Sequence, residues 1–334
     1  MSGTNATAVY SIHDILTVRS NTDIPVPDWF RVSASSTSHP DIVVEKGPVD
    51  PGIDRSEMTR SGMFFFGTSG DSLVIDYMLP IVDVTLVIED LAGETTIRYT
   101  SSYERFGSVG VLFNTVLQFK LIQRGYTFVH AGSVRSGQSG TLLVGMRNTG
   151  KTSVVLSLVD GTETEYLSDD LTIVDRSGTA YCYPTPVEIS PFTLTGDLMT
   201  YTGSTLQRWL ARRQILSLLA QEFIGYELSE QKRVPEHAIG ATSPITEIAI
   251  LGENGSERVK KLSTEKAVNR LLMSTTELLD PFRIYSINFF SFYLDFDTAD
   301  LFAKEREIIA EALDSAECYE VHAPSVEGYS NLLQ

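Results

Sequence analysis

Along the first hundred residues, short apolar runs alternate with turn chemistry. Ala8-Val9-Tyr10-Ser11-Ile12, Phe30-Arg31-Val32, Ile42-Val43-Val44, Met63 to Phe66, Ser72 to Tyr77, Val82 to Ile88 and Thr95 to Tyr99 are β-prone. Pro25-Val26-Pro27, Pro48 to Gly52, Gly67 to Gly70 and Ala92-Gly93 separate them. The period changes at Phe106: Val109, Leu112, Phe113, Val116, Leu117 and Leu121 recur mostly at three and four, which predicts a helix to Gln123, stopped by Gly125. Thr127 to Val134 reads as a strand that turns through Ser136 to Gly140 and returns in Thr141 to Val144, so these two strands are expected to be antiparallel neighbours. Ser153 to Val159 predicts a second helix, ended by Asp160-Gly161. Leu171 to Asp175 and Ala180 to Tyr183 predict strands on either side of a turn at Arg176 to Thr179.

The later chain predicts a helix over 203–227, with Leu206, Trp209, Leu210, Ile215, Leu216, Leu218, Leu219, Phe223 and Ile224 on a broad apolar face. Ile245 to Leu251 predicts a strand, Thr264 to Met273 and Ala299 to Asp314 predict helices, and Cys318 to Val321 a short strand. Pro281 to Tyr285 and the aromatic run Phe289, Phe290, Phe292 and Tyr293 read as buried strand. The pattern as a whole predicts an α/β fold with a mixed sheet. It divides into a β-rich N-terminal region, 1–105, and a second domain, 106–334.

Composition narrows the function classes. A chain of 334 residues with 42% hydrophobic content can bury a sizeable core. No run of 18 apolar residues occurs and Met1 to Ala6 lacks the regions of a signal peptide, which predicts a soluble, cytoplasmic protein with no membrane partner. Cys182 and Cys318 cannot make a disulfide framework. With 43 acidic against 26 basic residues the net charge is -17, which argues against a nucleic-acid partner. Only eight residues are lysine, and this acid excess with scarce lysine resembles proteins of salt-loving archaea, whose mutual repulsion is screened by salt.

The candidate chemistry lies where an apolar strand meets a helix. Gly145-Met146-Arg147-Asn148-Thr149-Gly150-Lys151-Thr152 has the G-x4-G-K-[ST] form of a phosphate-binding P-loop (Walker A). In such a loop, Gly145 and Gly150 let the backbone approach phosphates, and Asn148 tolerates a left-handed conformation. Lys151 reaches the outer phosphates, and the Thr152 hydroxyl ligates Mg²⁺. Arg147, Thr149 and Ser153 complete the expected nucleotide contacts. One short strand later comes Asp169-Asp170, where one carboxylate can lie beside the metal and the other can take a proton from an attacking hydroxyl.

These residues together carry a resemblance. Phe128-Val129-His130-Ala131-Gly132, the Gly145 to Thr152 loop, Tyr166-Leu167-Ser168-Asp169-Asp170 and Tyr183-Pro184-Thr185-Pro186 resemble the HPr kinase/phosphorylase family in its broad sense, whose core fold is shared with phosphoenolpyruvate carboxykinases. The resemblance implies that the loop binds ATP, that Thr152 and Asp170 sit near Mg²⁺, that Asp169 is general base toward a substrate hydroxyl, and that His130 lies near the phosphates. It implies a kinase acting on a protein, peptide or small metabolite, and a homo-oligomer is a further expectation. Arg147 and Asn148 replace the family's common Ser-Gly, Ser153 stands where HPr kinases have Glu, and no downstream Arg-Gly signature is evident. A nucleotide-binding regulatory or adaptor protein with little transfer activity therefore stays open. Glu188 reads as an exposed strand carboxylate or a second-sphere metal residue.

Overall fold

The computed structural model describes residues 7–33, 39–77, 82–106, 109–146, 149–189, 198–199, 204–206, 209, 230–253, 256–277, 288–294 and 296–333. The chain is mixed α/β and forms two compact units, Met1–Gly125 with Leu279–Glu305, and Tyr126–Leu278 with Arg306–Gln334.

The first unit is built on nine strands: β1 (Ala8–Ile12), β2 (Leu16–Ser20), β3 (Arg31–Val32), β4 (Ile42–Lys46), β5 (Thr59–Ser61), β6 (Phe64–Ser69), β7 (Ser72–Tyr77), β8 (Thr85–Glu89) and β9 (Thr95–Tyr99). They form one sheet in the order β3-β1-β2-β4-β9-β8-β7-β6-β5. β4 runs parallel to β2 and β9, and the other neighbours are antiparallel. Two short strands, β2 and β5, go beyond the sequence reading. β2 follows a turn in which His13 and Asp14 hold φ of 51° and 56°, left-handed values reached without glycine.

The predicted helix from Phe106 is α1 (Tyr103–Phe106) followed by α2 (Val109–Gln123). α2 is buried nearly all round, as a helix apolar on every side must be. Its buried Lys120 is held by the carbonyls of Leu91, at 2.9 Å, and Gly93. The sequence boundary is drawn at residue 105; contacts group α2 with the N-terminal strands. The aromatic run is corrected: residues 288–293 are helical, Phe289 and Tyr293 pack on Phe66, and Phe292 is 80% exposed. Pro281 to Tyr285 and nearly all of the helix expected over 203–227 lie outside the described residues.

In the second unit β10 (Tyr126–Val129), β11 (Gly132–Ser136) and β12 (Ser139–Val144) precede α3 (Lys151–Val159). The antiparallel neighbours expected across the Ser136 to Gly140 turn are β11 and β12, paired from Gly132↔Leu143 to Ser136↔Ser139. There follow β13 (Glu165–Ser168), β14 (Thr172–Asp175), β15 (Thr179–Tyr181), the ribbon of β16 (Val187–Ile189) and β17 (Glu230–Lys232), and the twelve-residue β18 (Thr242–Glu253). β19 (Arg258–Lys261), α4 (Thr264–Glu277), α5 (Thr298–Ala312), β20 (Glu317–Ala323) and α6 (Val326–Leu332) complete it, the first part of α5 belonging to the first unit.

The main path of the sheet is β10-β14-β15-β18-β12-β11-β13, with β20 on β18 and β19 on β20. It is mixed: β12–β18 and β18–β20 are parallel and the remaining pairs antiparallel. Val154, Val155, Leu158 and Val159 of α3 share a core with Ala249, Leu251, Val321, Ala323 and Tyr329. α4 lies against β10, β18 and β20. Parallel strands end together at the loop that opens α3, the place where α/β sheets form crevices. Among the described residues, no helix is long and apolar enough to cross a membrane.

Candidate functional site

β12 delivers the chain to Gly145, which is buried; a Cβ there would strike the Thr149 hydroxyl. Met146 follows, 67% exposed, and its carbonyl accepts from both the Thr149 amide (3.2 Å) and Thr149 Oγ1 (2.8 Å), closing the loop into a turn. Arg147 and Asn148 lie outside the described residues. Gly150 is the N-cap of α3 with φ of 83°, and no side chain caps the helix. The first amides of α3 are therefore left without a side-chain cap at the end that carries the helix's partial positive charge.

Five side chains converge there. Thr152 Oγ1 donates to Asp169 Oδ2 at 3.1 Å. Asp170 Oδ1 receives Lys151 Nζ at 3.3 Å and lies 2.9 Å from His130 Nε2. Lys151, His130 and Asp169 are buried, whereas Asp170 is exposed. His130 occupies the break between β10 and β11. Its amide donates to Thr275 Oγ1 at 3.1 Å and its Nδ1 lies 2.9 Å from the Ser274 carbonyl, both on α4. Ser274 and Thr275 are the anchors that the sequence reading passes over. The signal for them is the polar Ser274-Thr275-Thr276 run that continues an apolar helical pattern past Met273. Ser153 is buried on α3, and Glu188 is exposed on β16.

The paired aspartates differ in electrostatics. Burial pushes the Asp169 carboxyl up to about 6, with Lys151 opposing and Asp170 adding to the rise. Partial loss of solvent acts to raise Asp170, but the His130 hydrogen bond and the Lys151 ammonium outweigh it and hold this carboxyl well below the usual range. Asp169 Oδ1 is buried and has no hydrogen-bond partner among the described residues.

That orphaned oxygen decides whether the site suits Mg²⁺. A hard cation beside Thr152 Oγ1 and Asp169 would satisfy it and offset the cost of burying the charge. Among the described residues no group of three His, Cys, Asp or Glu forms a cage. Mg²⁺ with a nucleotide needs only one or two carboxylates, because phosphates and water fill its remaining positions. The residues present thus fit a nucleotide carrying its own metal. They differ from the expected division of labour in one respect: Thr152 is bonded to Asp169, and Asp170 to Lys151 and His130. No family model matches the chain, and no curated protein matches it either.

Proposed function

We propose that the second unit is an ATP-dependent kinase that transfers the γ-phosphoryl group to a hydroxyl of a protein, peptide or small metabolite. The observation that carries this reading is the convergence of Lys151, the Thr152–Asp169 bond and the Lys151–Asp170–His130 cluster at the uncapped N-terminus of α3. These are residues on which the HPr kinase resemblance rests.

ATP·Mg²⁺, when bound, supplies the phosphoryl group and most of its electrostatic activation. Lys151 and the amides that open α3 would offset the charge on the phosphates. Thr152 and Asp169 would hold the metal, the buried carboxyl releasing its proton to water as the divalent cation takes its place. Asp170, ionised and solvent-facing, would accept the proton of the acceptor hydroxyl as its oxygen bonds to phosphorus and the bond to the ADP oxygen breaks. His130, fixed through Ser274 and Thr275, holds Asp170 in place. This exchanges the roles that the family resemblance implies for the two aspartates.

The test is transfer of labelled γ-phosphate from ATP to a lysate or to products of neighbouring genes. Lys151→Ala should abolish the rise in melting temperature that ATP·Mg²⁺ gives the wild type. Asp170→Asn should keep that rise and lose transfer by roughly 10²- to 10⁴-fold, the usual worth of a general base. ATP binding with no acceptor ever labelled would leave a regulatory nucleotide-binding protein in place of a kinase.

A further inference from the structure

β19 pairs on one side with β20, and no strand among the described residues pairs with its outer edge. All four of its residues are exposed, Val259 by 46%. An edge of this kind leaves backbone N–H and C=O groups toward solvent and can take one more strand. Basic residues are concentrated here, with Lys261 paired to Glu317 at 3.1 Å. Lys260, Lys261 and Lys266 are three of the chain's eight lysines, and Arg258 and Arg270 flank them, although the whole protein carries -17.

Register fixes where these cations point. Val259 lies opposite Val321, which is buried in the core under α3 and α6. Arg258 and Lys260 therefore project from the other face, where Arg270 of α4 meets Glu320 at 3.2 Å. Glu320, opposite Lys260, is taken up by Arg270 and by His322 at 3.2 Å. Lys260 makes no ion pair among the described residues, and Arg258 reaches only His322, at 3.5 Å. The edge thus offers two cations at i and i+2 with no carboxylate bound to either.

We infer that the outer edge of β19 docks an extended, acidic protein segment, which adds as a strand and sets carboxylates at alternate positions opposite Arg258 and Lys260. Backbone pairing supplies the alignment, and side chains about 6.6 to 6.8 Å apart along the added strand supply the choice of sequence. A second copy of β19 fits poorly, since antiparallel pairing would bring basic residues against their equivalents. A long polyanion meets a strongly acidic protein, and the edge offers it Val259 where single-strand binders use aromatic platforms. The site also lies usefully in the fold. Val144, Ile250 and Glu320 are in register on parallel strands, and Arg258 pairs with His322 just beyond, so the Arg258 end of β19 is at the same end of the sheet as the Gly145 to Thr152 loop. The inference stands apart from the phosphoryl-transfer reading, and its test uses no ATP.

The probe is a fluorescent peptide, Thr-Val-Glu-Val-Glu-Val-Thr, beside its counterpart with Lys in place of Glu, read by anisotropy in dilute buffer and in molar KCl. The acidic peptide should bind at least ten-fold tighter than the basic one, weaken in KCl, and slow amide exchange across residues 257–262. The double variant Arg258→Glu, Lys260→Glu changes exposed side chains only, and its folding is checked by circular dichroism. It should lose the acidic peptide and gain the basic one. Equal binding of the two peptides, no binding of the acidic one, or binding without protection of β19 would overturn the inference. An oligothymidylate that binds more tightly at β19 than the acidic peptide would overturn it in favour of nucleic acid.

Discussion

With Asp169 pushed up to about 6 by burial and Asp170 held low by His130 and Lys151 against its partial loss of solvent, the two carboxylates give folding opposite dependences on pH. An unfolded aspartate releases its proton near 3.8. Between that value and about 6 the native state keeps the Asp169 proton, so this residue's contribution to stability falls as pH rises through the window. Asp170 does the reverse: its stabilisation is complete above the unfolded value and is lost as pH falls below it. In metal-free buffer at pH 7.5, Asp169→Asn should raise the melting temperature, by an amount corresponding to on the order of 2 kcal/mol. Asp170→Asn should lower it. Melting curves from pH 3.5 to 8 check both, and the gain from Asp169→Asn should vanish near pH 4. A loss of stability in Asp169→Asn at every pH would make that carboxyl a structural acceptor. Residue identity made both aspartates legible as a pair; which one meets Thr152 depends on how the turn after β13 points them, and no spacing in the sequence encodes that.

Elements were legible where one force acted alone. β1, β7 and β9 have the bounds that alternation and turn residues predict. β2 hid behind the His13-Asp14 turn, which carries left-handed backbone without the glycine that usually marks it. β18 is longer than its apolar stretch because Thr242 to Pro244 pair with β15 before the parallel pairing with β12 begins. The helix at 288–293 was misread because aromatics favour strands in general, yet Phe289, Phe290 and Tyr293 fall at i, i+1 and i+4, leaving Phe292 outward. Gly132 shows how tightly two elements meet: a Cβ there would stand 2.6 Å from Val155 Cγ2 and 3.1 Å from the Asp169 carbonyl. Gly132→Ala should therefore cost about 1–3 kcal/mol and disturb Asp169 as α3 moves off β11. Gly137→Ala, at φ 60° with nothing within 4 Å of the new Cβ, should cost about 1 kcal/mol and leave the site intact. Chemical denaturation of both variants, with nucleotide binding read alongside, separates the two effects.

For the molecule as a whole, the dominant quantity is its charge of -17. Self-repulsion of that size acts against compaction and is relieved by counterions, so the melting temperature should climb between dilute buffer and molar KCl. A flat or falling curve would show that specific contacts already offset the repulsion. The chain path adds a constraint of timing. Phe66 of the first unit is covered by Phe289 and Tyr293, from the segment Leu279–Glu305, while residues 126–278 belong to the other unit. A ribosome adding about 5–20 residues per second therefore releases the nine N-terminal strands roughly ten to forty seconds before the helix that covers them. During that interval the growing chain shows an unfinished aromatic face to the cell, and the second unit in turn waits for β20 and α6, made later still.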